Sequence, residues 1–108
     1  RKVNSFEVML LTQNRYPYIN LFRVRVTEMT IGTAVRLRIL ELCQMHSITV
    51  NKLATLSGIT QSTINNITSG RNNSATIVTI KKLCDGLDIS ILDFFNAPIF
   101  SELEQEIK

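Results

Sequence analysis

The chain has 108 residues, of which 44% are hydrophobic and 19% are charged, and its formal net charge is +3. This length allows one domain with a single modest core. Because no apolar run reaches the length of a membrane span and no secretory signal pattern is visible, we expect a globular protein that does not contact a membrane.

Residues 1–28 differ in pattern from the rest of the chain. In "INLFRVRV", residues 19–26, apolar and basic side chains alternate, as in a half-buried β-strand. A lone strand is not stable in water, so this one would need a partner. Two interpretations remain open: residues 1–28 are an N-terminal extension incidental to the domain, or their strand pairs with a second copy. The domain itself is placed at residues 29–108.

From Ile31 onward the apolar residues recur at helical spacing. Hydroxyl residues before the apolar runs and glycines after them set the boundaries, since a hydroxyl caps the first turn and glycine tolerates the conformation that ends a helix. The predicted helices are 31–46, 50–57 after Thr49 and before Gly58, 61–68 after Thr60 and before Gly70, and 76–86 with Gly86 close to its end.

The C-terminal part of the chain predicts one or two further helices. Ser90 caps a short turn, "ILDFF", and "PIFSELEQEIK" is expected to form a last helix that starts after Pro98, because proline suits the first turn of a helix. The predicted fold class is therefore all-α, a compact domain of five or six short helices, with the N-terminal strand as its one addition.

The second and third predicted helices have the spacing of a helix-turn-helix. Ala54 is small where the third helix crosses the second, and Gly58, four residues later, allows a turn with positive φ. Ile64 is expected to fill the core beneath the turn, with Leu53 and Leu56 also facing inward. This arrangement leaves the N-terminal, outward face of the third helix free to enter a DNA major groove.

Two stretches, "LATLSGITQSTINNITSGR" and "TIKKLCDGLDISILDFF", resemble the Xre/Cro family of repressor-type helix-turn-helix proteins, and the resemblance covers about residues 30–95. It implies a lambda-repressor-like fold and sequence-specific binding of double-stranded DNA. It also implies a role in transcriptional repression or switching, usually as a homodimer on a palindromic operator.

At the positions that match the family, the resemblance implies that the third predicted helix and the residues around it contact DNA. The side chains expected to reach base edges are amides, which can pair with adenine, and hydroxyls, which accept either polarity. They are Gln61, Ser62, Thr63, Asn65 and Asn66. Phosphate contacts are expected from Thr60, Arg71, Asn72, Asn73, Lys52 and Arg36.

The sequence departs from the family pattern at three positions. Val50 replaces a glutamine that often braces the recognition helix, which removes one expected phosphate contact. Thr68 stands where an acidic residue is frequent, and Ala75 where many relatives have proline. The change at Ala75 predicts a less rigid loop over residues 71–75.

The charge distribution agrees with DNA binding. Residues 29–82 contain six basic residues and one acidic residue, whereas residues 83–108 contain six acidic residues and one basic residue. One side of the domain is thus suited to a polyanion and the other would repel it. Individually, Arg36, Arg38 and Lys52 would either be solvated or contact phosphate.

Two apolar stretches offer a surface for a second copy: "ILDFFNAPIFSEL" and the strand at 19–26. We favour the first. The alternative is that its apolar residues only close the domain's own core. The predicted dimer interface consists of Ile91, Phe94, Phe95, Ile99 and Phe100.

Residues for catalysis or metal binding are not grouped anywhere in the sequence, so we expect no enzyme, no cofactor and no metal site. His46, the only histidine, is expected at a helix end, and Cys43 and Cys84 are expected to be buried free thiols in a reducing, cytoplasmic location. The alternative function is an antitoxin-like or adaptor module on the same fold, which would bind a regulatory protein partner.

Overall fold

A computed structural model describes residues 29–70 and 75–107. Within these ranges the chain forms five α-helices and one short 3₁₀-helix, which confirms the all-α prediction. The strand predicted at residues 19–26 lies outside the described residues. The helices are α1 (Ile31–Met45), α2 (Val50–Ser57), α3 (Gln61–Thr68), α4 (Ile77–Leu87) and α5 (Ile91–Phe95), followed by the 3₁₀-helix Pro98–Phe100.

Each of the five α-helices starts after a hydroxyl residue whose side-chain oxygen accepts the N–H of the third helical residue. Such a bond satisfies one of the N–H groups that lack a partner in the first turn. Around α5 the bond is reciprocal, because Asp93 also accepts the N–H of Ser90. The five N-caps are Thr30, Thr49, Thr60, Thr76 and Ser90.

The turn between α2 and α3 has the predicted form, with Gly58 at φ 68°. The predicted end of α4, close to Gly86, agrees with the structure to within one residue, since the helix continues to Leu87 and is capped by Asp88, which has φ 56°. Aspartate is one of the few residues other than glycine that adopt this left-handed conformation, since its short polar side chain can bond locally.

The last predicted helix, after Pro98, was wrong. Only Pro98–Phe100 is helical, and residues 101–107 form no helix. The backbone N–H of Glu104 donates to the carbonyl oxygen of Met29 at 3.0 Å. A helix would direct that N–H at the carbonyl four residues earlier, so docking against the start of the domain replaces the helix.

The main hydrophobic core lies where α1, α2, α3 and α4 meet, and Phe94 of α5 is fully buried in it. A second, smaller cluster is formed by Met29, Ala34, Leu37 and Ile99. The prediction that Leu56 faces inward was wrong, since 47% of its surface is exposed. None of the helices in the described ranges has both the length and the apolarity needed to cross a membrane.

Gly86 lies at the crossing of α2 and α4. A Cβ atom added there would collide with Ser57 Oγ and would lie 3.1 Å from the carbonyl carbon of Leu56. The helices therefore approach at this point as closely as their backbones allow. The glycine that the sequence placed close to the end of this helix is therefore a packing residue.

Arg38 connects α1 to the end of α5. Its Nε donates to the carbonyl oxygen of Phe94 at 2.7 Å and its Nη2 to that of Asp93 at 2.8 Å, while Nη1 pairs with Glu41. Arg38 is thus buried, and its guanidinium is hydrogen-bonded within the domain. The expectation that it is either solvated or in contact with phosphate was therefore wrong.

The two cysteines are buried free thiols, as expected, and burial raises the pKa of both Cys43 and Cys84. A raised pKa disfavours the thiolate, which is the reactive form. His46 is exposed and follows the last residue of α1, in agreement with its expected place at a helix end.

Candidate nucleic-acid interface

The helix-turn-helix is formed by α2, the turn at Gly58 and α3. Ala54 and Ile64 are fully buried where the two helices pack, and the N–H of Ile59 donates to the carbonyl oxygen of Ala54 at 3.1 Å. Because these contacts hold both ends of the turn, the orientation of α3 is fixed by the core.

The outward side of α3 carries hydrogen-bonding side chains and no charge. Gln61, Ser62 and Asn65 are exposed, whereas Thr63 and Asn66 are half-buried. Amides and hydroxyls both donate and accept hydrogen bonds. This surface can therefore make directional contacts to base edges without the attraction to phosphate that a basic helix would have.

The side chain of Gln61 contacts α2. Its Nε2 donates to the backbone carbonyl oxygen of Asn51 at 3.2 Å. The same carbonyl accepts a bond from Thr55 Oγ1, also at 3.2 Å. Val50 cannot supply the bracing side chain that the family pattern has at the start of α2, and Gln61 braces the two helices from the α3 side.

Thr60 holds the first turn of α3. Its Oγ1 accepts the N–H of Thr63 at 3.1 Å and donates its proton to Thr63 Oγ1 at 2.9 Å. The hydroxyl proton of Thr60 is thus used within the helix cap. The proton of the Thr63 hydroxyl is the one that remains for an outside acceptor, since Thr63 Oγ1 accepts from Thr60.

Only some of the residues predicted to contact phosphate lie within the described ranges. Arg36 extends from α1 to Gly70, because its Nε lies 3.9 Å from the position that a Cβ on Gly70 would occupy. Lys52 is exposed in the first turn of α2. Arg71, Asn72 and Asn73 lie outside the described residues. Arg36 is therefore placed beside the start of the loop that was expected to grip phosphate.

The predicted dimer residues do not share one surface. Phe94 and Ile99 are fully buried within the domain, so a second copy could reach them only if the core opened. Phe95 and Phe100 are half-buried, with ring centroids 4.9 Å apart, and Ile91 is half-buried as well. The exposed apolar residue of α5 is Leu92, at 82%, which belongs to the predicted apolar stretch but was not among the five residues predicted for the interface.

Comparisons with known proteins agree with this geometry. The family model of the Cro/C1-type helix-turn-helix DNA-binding domain matches residues 38–98. A solved structure described as prophage Lp1 protein 11 is 42% identical, with a TM-score of 0.61, and the match covers 68% of this chain and 97% of that chain. No curated protein sequence matches the chain significantly.

Proposed function

Because the chain belongs to the Cro/C1-type helix-turn-helix DNA-binding domain family, we propose that it is a sequence-specific transcriptional regulator, acting as a repressor, that reads the major groove with α3. The observation that carries the proposal is the outward side of α3, where uncharged amides and hydroxyls stand on a helix whose orientation the core fixes. Such groups distinguish base pairs by their pattern of donors and acceptors.

Phosphate contacts are proposed to come from the surroundings of α3. Arg36 supplies a cation beside Gly70, and Lys52 supplies one at the start of α2. Arg71, Asn72 and Asn73 follow Gly70 directly in the sequence, and we propose that they also contact phosphates. Phosphate contacts fix the register of a protein on the duplex but carry no sequence information by themselves.

We further propose that two copies bind a palindromic operator. One bidentate base contact contributes only about 1 to 3 kcal/mol, so one α3 alone would discriminate weakly. Two copies with half-sites about 34 Å apart double the number of base contacts. Leu92 replaces Phe94 and Ile99 as the centre of the proposed contact, because it is exposed and they are not. The buried free thiols fit a regulator that acts in the reducing cytoplasm.

The test is a selection of bound sequences from a random duplex pool, followed by a salt titration of the enriched sequence. We expect an enriched inverted repeat whose half-site centres are one helical turn apart. The logarithm of the binding constant should fall linearly with the logarithm of the salt concentration, because each phosphate contact releases counterions. Failure to enrich any sequence would contradict the proposed sequence specificity, and enrichment of a single half-site would contradict the dimer.

A second candidate function is an antitoxin-like or adaptor module whose main partner is a protein. It is favoured by the exposure of Leu92, together with Ile77 and Val78 of α4, at 61% each. Exposed apolar side chains on one domain can serve a protein contact. Under this alternative, binding to the duplex would be weak at every sequence and the selection would enrich nothing.

A further inference from the structure

An apolar groove opens between the first turns of α1, the first turns of α4 and the end of α5. Its volume is about 290 Å³, roughly ten times the share of one molecule in liquid water, so several apolar side chains can enter it. Of its residues, Ile31 is 36% exposed and Ile77 is 61% exposed. The described side chains that line it are all apolar: Ile31, Val35, Ala75, Ile77, Ile80 and Phe95. In water such a surface favours an apolar occupant.

Residues 1–28 join the domain beside this groove. Met29 is only 1% exposed, and Ile31, two residues later, already lines the groove. Val26 precedes Ile31 by five residues, so chain length alone keeps their Cα atoms within about 18 Å of each other. A segment tethered this closely has an effective concentration in the millimolar range, which a second copy in dilute solution does not reach.

The charges at this end of the domain favour the same occupant. The backbone bond from the Glu104 N–H to the Met29 carbonyl oxygen, at 3.0 Å, places the C-terminal tail beside the residue that follows the extension. The tail also contains Glu102 and Glu106, whereas residues 1–28 contain five basic and two acidic residues. Opposite charges are therefore brought together where the extension meets the domain.

We propose that residues 19–26 dock in this groove on their own domain. In "INLFRVRV" apolar and basic residues alternate, so an extended segment has one apolar side and one basic side. The apolar side, which includes Val24 and Val26, enters the groove. Arg23 and Arg25 are then on the outer side, where they can pair with the acidic tail. Because the contact lies within one chain, it does not depend on the proposed binding of DNA.

Limited digestion of the full chain with trypsin tests the docking, because trypsin cleaves after arginine and needs a locally released backbone. Docking should make cleavage after Arg23 and Arg25 slow. Ile77→Asp places a charge in the groove, and cleavage at both sites should become roughly tenfold faster or more. The matched control is Val78→Asp, since Val78 is also 61% exposed but does not line the groove. Its cleavage should keep the rate of the parent.

Two further measurements separate release of the segment from unfolding of the domain. Cleavage after Arg38, which is buried in α1, reports unfolding of the whole domain and should stay slow in both variants. Val24→Asp changes no residue of the groove, and it should speed cleavage after Arg23 and Arg25 as Ile77→Asp does. Equal cleavage rates in Ile77→Asp and Val78→Asp would overturn the proposal.

Nuclear Overhauser effects (NOEs) in solution identify the occupant directly. The methyl groups of Val24 or Val26 should show NOEs to the ring of Phe95 within one chain. In an equal mixture of isotope-labelled and unlabelled chains, the same NOEs should be absent between chains. Contacts between chains would mean that the groove holds the segment of a second copy. The absence of any such contact would leave the groove to a different partner, and either result would overturn the docking of the segment on its own domain.

Discussion

Two junctions in the domain hold a helix against its neighbour by different means. Where α2 crosses α4, the contact is made by the small residues Gly86 and Ser57, and one additional carbon atom would collide. Where α1 meets the end of α5, the contact is made by Arg38, whose guanidinium bonds to two backbone carbonyls and to Glu41. The first junction has no room for a larger side chain, whereas the second depends on hydrogen bonds.

This difference predicts opposite sensitivities. Since the interior is close-packed, the α2–α4 crossing should respond to added volume even when the new group is apolar. The α1–α5 junction should respond to the loss of polar groups even when volume is kept, because buried donors and acceptors without partners are costly. The α2–α4 crossing orients the helix-turn-helix, and the α1–α5 junction places the helix that carries Leu92.

The largest loss in the free energy of unfolding is expected for Arg38→Met, which keeps much of the side-chain volume and removes every hydrogen bond that the guanidinium makes. Removing one member of a buried ion pair typically costs about 3 to 5 kcal/mol. The Arg38 and Glu41 side chains are only 8% and 4% exposed, so little solvent screening applies. Urea unfolding of the variant and the parent measures the loss.

The matched control is Lys81→Met, which breaks the ion pair between Lys81 and Asp85 on α4. These side chains are 56% and 62% exposed. Exposed pairs of this spacing contribute only about 0.3 to 0.5 kcal/mol, because water and salt screen them. Similar losses for the two variants would contradict the distinction between the buried and the exposed pair.

The next effect is expected for Gly86→Ala. From helix propensity alone, alanine should stabilise α4 by about 1 kcal/mol. The collision with Ser57 should reverse the sign and give a net loss of about 1 to 3 kcal/mol, as overpacking usually does. The free energy of unfolding from urea titration decides between the two signs.

Ser57→Ala provides the control for this prediction. The Ser57 hydroxyl is buried and has no hydrogen-bond partner among the described residues, so its removal alone should be neutral or slightly stabilising. In the double variant the added methyl group no longer meets Oγ, and part of the loss should be recovered. Strict additivity of the two changes would show that the collision is absent in solution.

Local features of the sequence were sufficient to predict the helix-turn-helix. The bounds of α2 and α3 followed from Thr49, Gly58 and Thr60, because capping and glycine turns depend on a few neighbouring residues. The buried Ile64 and Ile67 likewise followed from helical spacing. The exposed, uncharged side of α3 could be predicted for the same reason.

Other features depend on contacts between distant residues, which leave no local pattern. Arg38 is buried because its partners are backbone carbonyls more than fifty residues away, at Asp93 and Phe94. The bond from Gln61 to the Asn51 carbonyl involves a backbone acceptor, which every residue type offers. The packing role of Gly86 could not be predicted, because a glycine that permits close helix packing and a glycine near a helix end look the same in the sequence.

The smallest effect is expected at Asp88, which ends α4 and leads into α5, and so connects the two junctions. Asp88 has φ 56°, a conformation that glycine adopts without strain and alanine does not. Asp88→Gly should change the free energy of unfolding by less than about 1 kcal/mol, because relief of strain and the greater entropy of the unfolded chain oppose each other. Asp88→Ala should lower it by about 1 kcal/mol.

Ser47, in the turn between α1 and α2, has φ 55° and allows the same pair of substitutions at a second site. If the positive φ sets the outcome, glycine should be more stable than alanine at both positions, by similar margins, in parallel thermal unfolding experiments. A reversed order at Asp88 alone would mean that its side chain, and not its backbone conformation, holds the turn. The spacing between α4 and α5 would then depend on a polar contact, as the α1–α5 junction does.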